Sequence, residues 1–306
     1  MKKELIVSHE DDLTKIALLE DGRLCELHEQ EDKSDFIVGD LFIGKVKKLA
    51  PNLNAAFVNI GYEKDAFLHY QDLGPQYLTY RKFLRDTISK KQSTSSLKNF
   101  EIQPEIDKNG TVDKVIAKDD VVLLQITKEP ISTKGPRIST QISLTGRFLV
   151  LIPFDNKVSI SKKVRSAEEK ERLRALIESI KPEGFGVIIR TVAEGKKVAD
   201  LHNDMNQLIQ KWESTFKNIQ KNKVPSRVLS EDDKASAILR DNFNQDFVSI
   251  ICDDEQMVSE MKNYLEVIAP ERKNIVQFYN SHIPLLEYYN VEKQLKQKIL
   301  GLKVIF

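Results

Sequence analysis

The stretch from Gly44 to Leu68 constrains the fold more than any other part of the chain. It reads as a Gly-Lys-Val-x-x-Leu strand, then an apolar and aromatic strand ending Phe57-Val58-Asn59-Ile60-Gly61, then Ala66-Phe67-Leu68. Phe57 and Phe67 fall on neighbouring strands joined by a short turn, a placement that lets them form a two-ring platform on one sheet face. Platforms of this kind hold single-stranded RNA: bases stack on the rings at roughly 1–3 kcal/mol each, beside lysines that meet phosphates. Lys45, Lys47, Lys48 and Lys128 are the lysines within reach in the sequence. The same spacing also suits two ordinary core residues of a small barrel, and the residues alone leave both readings open.

Composition limits what such a platform can rely on. Lys and Arg total 47 and Asp and Glu 46, for a formal charge of +1 over 306 residues. Contact with nucleic acid must therefore come from a local patch, since there is no whole-molecule field to draw it in. With 41% hydrophobic residues the chain can build real cores, which excludes a disordered protein. Its length suits two or three domains. Cys25 and Cys252 stand far apart with no CxxC pair, so neither a disulfide scaffold nor a cysteine zinc site is expected, and a reducing cytoplasm is the simplest setting. Phe148 to Ile152 is among the longest apolar runs, far short of the roughly 20 residues that span a bilayer. Met1 to Ser8 carries too few apolar residues for a secretory signal.

The rest of the chain divides by period. Leu5 to Ser8, Lys15 to Leu19 and Arg23 to Leu27 read as short antiparallel strands, with a turn at Glu20-Asp21-Gly22. A β-rich region runs from Gly39 to about Thr127 and resumes at Val121 to Ile126 after a polar interruption. That interruption, from about Tyr80 to Asp119, contains Lys90-Lys91-Gln92-Ser93-Thr94-Ser95-Ser96 and is expected to be a flexible excursion. Ile138 to Ile152 and Val187 to Thr191 read as strands. Ser166 and Glu169 form a capping box that opens a helix ended by Pro182. Val198, Leu201, Met205, Leu208, Ile209, Trp212, Phe216 and Ile219 line one face of a long helix. Further on come a helix at Asp232 to Asn242, a strand at Phe247 to Cys252, a helix carrying Met257, Val258, Met261, Leu265 and Ile268 and stopped by Pro270, and a strand at Ile275 to Tyr279. Lys303 to Phe306 reads as half a strand, as if the chain were cut short there.

The excursion is also basic. Between Tyr80 and Lys98 lie Arg81, Lys82, Arg85, Lys90, Lys91 and Lys98 against one acid, Asp86. Such a loop suits a phosphate backbone, with an effect that weakens as salt rises, or it is a solvated loop with no partner. The five histidines are scattered with none at metal-ligand spacing, and no Gly-rich phosphate loop is present. The acidic pairs Asp232-Asp233 and Asp253-Asp254 sit at expected helix N-termini, where capping explains them.

The run Leu41 to Leu68 resembles the S1-type RNA-binding domain of the ribonuclease E/G endoribonucleases. The resemblance continues through Ile142-Ser143-Leu144-Thr145-Gly146-Arg147-Phe148-Leu149-Val150-Leu151-Ile152-Pro153, through Gly184 to Thr191, and at Ile283-Pro284-Leu285-Leu286. It implies an α+β multidomain fold: a degenerate RNase H-like subdomain with an inserted S1-type OB-fold β-barrel and an α/β 5′-phosphate sensor region. The implied division is 1–38 and 226–306 for the RNase H-like subdomain, 39–128 for the barrel with a Lys/Ser-rich insertion at about 80–119, and 129–225 for the sensor. By resemblance, Phe57 and Phe67 are the RNA-stacking pair and Lys128 the basic residue at the end of the barrel. Arg190 and Thr191 match the residues that grip a terminal phosphate, Gly146 and Val150 positions lining the same pocket, and Lys162 a position that is arginine in the family's best-known members. A lysine attracts a phosphate as a point charge and lacks the bidentate fork of arginine. For Arg190 the bland alternative is a surface ion pair with Glu194.

The resemblance further implies a bacterial enzyme that cleaves single-stranded RNA in ribosomal RNA processing and messenger RNA decay, favouring 5′-monophosphorylated substrates. Cleavage in that family uses carboxylates holding Mg²⁺ in a DNase I-like subdomain, and a cysteine motif binds an inter-subunit Zn²⁺; both lie beyond the region where this chain ends. The expectation is therefore a chain that binds RNA without cutting it, with no metal site or cofactor of its own. An intact homologue would be a homo-oligomer, and this chain a monomer. A non-catalytic RNA-binding adaptor and a protein–protein scaffold are the rival readings.

Overall fold

The computed structural model of the chain describes residues 2–11, 13–31, 36–130, 134–231 and 234–302. In chain order its strands and helices are β1 (Lys3–Glu10), β2 (Leu13–Glu20), β3 (Arg23–Glu31), β4 (Leu41–Ala50), β5 (Ala55–Asn59), β6 (Ala66–His69), α1 (Tyr77–Ile88), β7 (Val121–Lys128), β8 (Arg137–Ser139), β9 (Leu144–Thr145), β10 (Leu149–Pro153), β11 (Val158–Ile160), α2 (Ala167–Ile180), β12 (Phe185–Ile189), α3 (Val198–Lys221), β13 (Ser226–Leu229), α4 (Lys234–Asn242), β14 (Phe247–Cys252), α5 (Glu255–Ile268), β15 (Val276–Phe278), α6 (Leu285–Tyr288) and α7 (Val291–Leu302). They form two units, one made of residues 36–231 and the other of residues 1–35 with 232–306. The expected half-strand at Lys303 to Phe306 and the pair Asp232-Asp233 lie outside the described residues.

The discontinuous unit is built on a five-stranded sheet in the order β15-β14-β1-β2-β3. β1, β2 and β3 run antiparallel, whereas β14 lies parallel to β1 and β15 parallel to β14. Both faces of the sheet are covered, and the two-residue period of β1 is divided between them. Leu5, Val7, Ile16 and Leu18 pack with Leu239 of α4 and Val258, Met261 and Leu265 of α5. Ile6, Ala17 and Leu19 pack with Leu285 and Leu286 of α6 and Val291 of α7. Asp254 caps α5 by accepting the Met257 N–H at 2.8 Å, as the sequence leads one to expect. Its neighbour Asp253 does something else: it accepts the Ser8 hydroxyl at 2.6 Å and the His9 N–H at 2.8 Å, tying β1 to the end of β14.

In the continuous unit, β4, β5, β6, β8 and β7 follow one another and β7 closes back on β4, giving a five-stranded barrel of the kind an OB-fold builds. The lumen is filled by Phe42, Val46, Ala56, Val58, Ala66, Leu68, Val122, Leu124, Ile126 and Ile138. Alternate residues of β4 and β7, Leu41, Ile43 and Leu123, point out of the barrel into a second core shared with Tyr80, Phe83 and Leu84 of α1 and Trp212 and Phe216 of α3. One side of the barrel wall is thus buried on both faces. The outer face of β5 and β6 is not.

The stretch expected to be a flexible excursion differs from that expectation. Residues 77–88 form α1, whose Tyr77, Tyr80, Phe83, Leu84 and Thr87 are buried. The Lys/Ser-rich segment that follows is fastened to α3: Trp212 Nε1 donates to the Ser95 carbonyl at 2.9 Å and Gln220 Nε2 to the Gln92 carbonyl at 3.2 Å. Four of the six cations between Tyr80 and Lys98 are engaged, Arg81 with Asp120 at 3.1 Å, Arg85 with Asp86 at 3.4 Å, Lys98 with Glu183 at 3.2 Å, and Lys82 with Glu101. These pairings leave Lys90 and Lys91 as the exposed cations of this segment that make no ion pair among the described residues. Three of the acids that answer these cations, Glu101, Asp120 and Glu183, come from outside the stretch between Tyr80 and Lys98.

A four-stranded sheet in the order β11-β12-β10-β9 completes the unit. The run Ile138 to Ile152, read from sequence as one strand, is broken into β8, β9 and β10. The turn at residues 146–148 that separates β9 from β10 is the start of the candidate site.

Candidate nucleic-acid interface

Two constellations arise in the continuous unit. The first is on the uncovered barrel wall. Phe57 and Phe67 are direct partners across β5 and β6, with ring centroids 5.8 Å apart and planes at 65°, an edge-to-face pair. Both are half-buried, while their strand neighbours Ala56, Val58, Ala66 and Leu68 fill the lumen. The rings therefore stand outside the barrel core, not within it. On the other side of Phe57, β4 places Lys48 as its register partner. Lys48 is exposed and makes no ion pair among the described residues. Lys45 and Lys47 are paired, with Asp119 at 2.9 Å and Asp65 at 3.0 Å; the Lys45 ammonium holds the Asp119 carboxyl below its usual range.

On the far side of Phe67 the register partner is Arg137 of β8, and Arg137 is in turn opposite Lys128 of β7. Lys128 is exposed, one strand further round the closed wall than Arg137. The sequence does not single out Arg137, because the β6–β8 pairing joins residues 70 apart and no local period announces it.

The second constellation lies where β9, β10, β11 and β12 end together. Arg190, just past β12, donates its backbone N–H to the Phe148 carbonyl and its Nη1 to the Gly146 carbonyl, both at 2.8 Å. Thr191 Oγ1 lies 2.9 Å from Ser161 Oγ, and Ser161 donates its N–H to the Ile189 carbonyl at 2.9 Å. Lys162, the next residue, is exposed and forms no hydrogen bond or ion pair among the described residues. Val150 pairs with Thr145 and Ile188, which places it with exposed Ile188 on the outer face of this sheet. Arg190, Thr191, Gly146 and Ser161-Lys162 thus come together, with Val150 beside them. Arg147 and Lys196 stand over the Phe148 ring at 5.2 and 5.6 Å, adding two cations that sequence reasoning passed over.

Asp204 organises this corner. It sits on the buried face of α3 between Leu201 and Met205, and its carboxylate accepts three backbone N–H groups, from Arg147 at 2.9 Å, Phe148 at 2.9 Å and Leu149 at 2.8 Å. Burial pushes its carboxyl above the usual range, opposed by those three donors and by the charge of Arg190. A Cβ on Gly146 would meet the Asp204 oxygens at 2.7 and 2.8 Å, so the turn needs glycine to approach so closely. The signal was in the sequence: position 204 falls on the apolar stripe of α3, three after Leu201 and four before Leu208, and a carboxylate there must find donors. The turn's N–H groups point inward at Asp204, so an anion at this corner is met by side chains.

Among the described residues no three of His, Cys, Asp and Glu are grouped to hold a metal ion, and no helix is long and apolar enough to cross a membrane.

Comparison with known proteins places these features. The model of the Ribonuclease E/G family matches residues 143–304, more than half of the chain. The chain belongs to the ribonuclease E/G family. Ribonuclease E of Nostoc is 29% identical over 98% of this chain and 40% of its own length. Ribonuclease G of Haemophilus influenzae is 29% identical over 96% of this chain and 56% of its own. Ribonuclease G of Escherichia coli K12 is 26% identical over 98% of this chain and 57% of its own. The chain thus spans about half the length of these relatives of the ribonuclease E/G family, and both constellations lie within the shared part.

Proposed function

We propose that this chain is the RNA-recognition part of a bacterial endoribonuclease of single-stranded RNA, acting in ribosomal RNA processing and messenger RNA decay. Its barrel is read as S1-type, with Phe57 and Phe67 stacking unpaired bases and Lys128 meeting the strand further round the wall. The observation that carries the reading is the placement of the two rings: outside a full barrel core, paired edge to face, away from the β4 and β7 side that α1 and α3 cover. Flat apolar faces in water gain from stacking on bases, whatever the base identity.

The corner at Arg190 is read as a 5′-monophosphate sensor. Arg190, Thr191 and Lys162 supply guanidinium, hydroxyl and ammonium, the chemistry of a phosphate site, with Gly146 and Val150 shaping its edge. The strand order of the discontinuous unit, in which two parallel strands extend an antiparallel three-stranded meander, supports assigning it to a degenerate RNase H-like subdomain made of 1–38 and 226–306. The barrel is then 39–128 and the sensor 129–225. Cleavage chemistry is assigned to none of the described residues; Mg²⁺ and an inter-subunit Zn²⁺ belong to this proposal only through the family. A cytoplasmic setting fits two free cysteines, Cys25 exposed and Cys252 buried.

The test is a binding titration with unstructured oligoribonucleotides carrying a 5′-monophosphate or a 5′-hydroxyl, repeated at several salt concentrations. The parent chain prefers the monophosphate, and Arg190→Ala removes that preference while binding at the platform persists. Equal preference in parent and variant defeats the sensor assignment.

A further inference from the structure

Resting on the platform reading above, we propose that Arg137 is a third RNA-contacting group of the barrel, a pre-oriented phosphate grip beside Phe67. The registers set it there. Phe67 N–H donates to the Pro136 carbonyl at 2.9 Å, and Phe67 and Arg137 are partners across β6 and β8. The preceding Gly135 passes so close to the Asp65 backbone that a Cβ would collide with it, so the approach of this segment to β6 is built into the chain.

The guanidinium is held before any ligand arrives. Nε donates to Asp72 Oδ2 at 2.9 Å and Nη2 to Asp72 Oδ1 at 3.1 Å, a fork on a carboxylate that lies just beyond β6. Nη1 has no hydrogen-bond partner among the described residues, and the Arg137 side chain is 43% exposed. The Nε–Nη2 edge is thus spent on orientation, and Nη1 is left without a partner among the described residues on a half-exposed side chain. A base stacked on Phe67 brings its own phosphate next to the ring, and a planar donor fixed at that spot loses little side-chain entropy on gripping it. Lys48 flanks the other ring, so the order around the wall is cation, ring, ring, cation. Asp72 acts only through Arg137 and is a positioning residue.

The full chain is titrated with a fluorescently labelled oligouridylate across about 50 to 200 mM salt. Arg137→Ala weakens binding about three- to tenfold at the lower salt, and makes the slope of log affinity against log salt shallower by about one. Arg137→Lys keeps the charge and the slope but loses the fork, weakening binding about threefold. Asp72→Asn keeps the cation and frees it, so the affinity falls with the slope unchanged. Arg137→Ala and Arg137→Lys that both match the parent, while Phe67→Ala still weakens binding, overturn the role of Arg137 and leave the platform standing. If Phe57→Ala and Phe67→Ala are also without effect, the platform reading itself fails.

Discussion

Arg190 Nη1 lies 2.8 Å from the carbonyl oxygen of Gly146, and with the Arg190 N–H bond to Phe148 it joins the end of β12 to the turn between β9 and β10. Gly146 is also where Asp204 comes closest, and that carboxylate takes up the N–H groups of the three residues that follow. The arginine is therefore aimed from a surface that is fixed from behind by a buried acid on α3.

Asp204→Asn tests that arrangement. The amide replaces one acceptor oxygen with a donor that faces backbone N–H groups, leaving buried donors unsatisfied at a cost of about 1–3 kcal/mol. The expected result is a lower melting temperature together with loss of discrimination between 5′-monophosphate and 5′-hydroxyl RNA, while binding of unstructured RNA at the barrel persists. A variant that melts like the parent and still discriminates removes Asp204 from the account.

Phe57→Ala and Phe67→Ala should each weaken single-stranded RNA binding by about 1–3 kcal/mol. Each also deletes an edge-to-face contact worth about 0.5–1.5 kcal/mol to the fold, which a thermal melt reads separately. Because the rings touch at 5.8 Å, the double variant loses less than the sum of the two singles. A fully additive cycle would mean that the rings meet separate nucleotides without influencing one another.

Lys162→Arg should strengthen the grip on a 5′-monophosphate. Lys162 is exposed at the corner and engaged by nothing among the described residues, so the change brings a fork in place of a point charge without breaking a contact. The expected gain is about 1 kcal/mol for the 5′-monophosphate oligonucleotide and none for the 5′-hydroxyl one. Equal gains on both would show a general attraction to RNA and no end recognition.

The spacing alone left Phe57 open between platform and core, and the structure adds its facing: Ala56 and Val58 turn in, so Phe57 turns out of the barrel. The corner at Arg190 was singled out only through family resemblance, since Gly146, Ser161 and Arg190 come together from three separate strand ends. Helix α1 was missed although Tyr77, Tyr80, Phe83, Leu84 and Thr87 recur at helical steps, because Arg81 and Lys82 between them resemble a solvated loop until their acids, Asp120 and Glu101, are brought in. Arg137 had no local signal at all. Its meaning is created by strand pairing.

The final prediction concerns pH. Glu169 accepts Arg172 Nε and Nη2, each at 2.6 Å, and the Gly195 N–H at 2.8 Å, which ties the start of α2 to the loop between Arg190 and α3. The Arg172 hydrogen bonds, then that of Gly195, hold its carboxyl down to about 2, against an ordinary value of 4.5. The folded value lies below the unfolded one, so the stabilisation is complete above pH 4.5 and is lost as pH falls from there toward about 2. Ser166 caps α2 on its own through the Glu169 N–H, so Glu169→Gln leaves the helix start in place. The variant should melt lower than the parent at neutral pH, exchange the Gly195 amide faster, and close the gap as the acid range is entered. Parent and variant melting curves that stay parallel from neutral pH down to about 2 would show that Glu169 carries no charge-dependent tie to this loop.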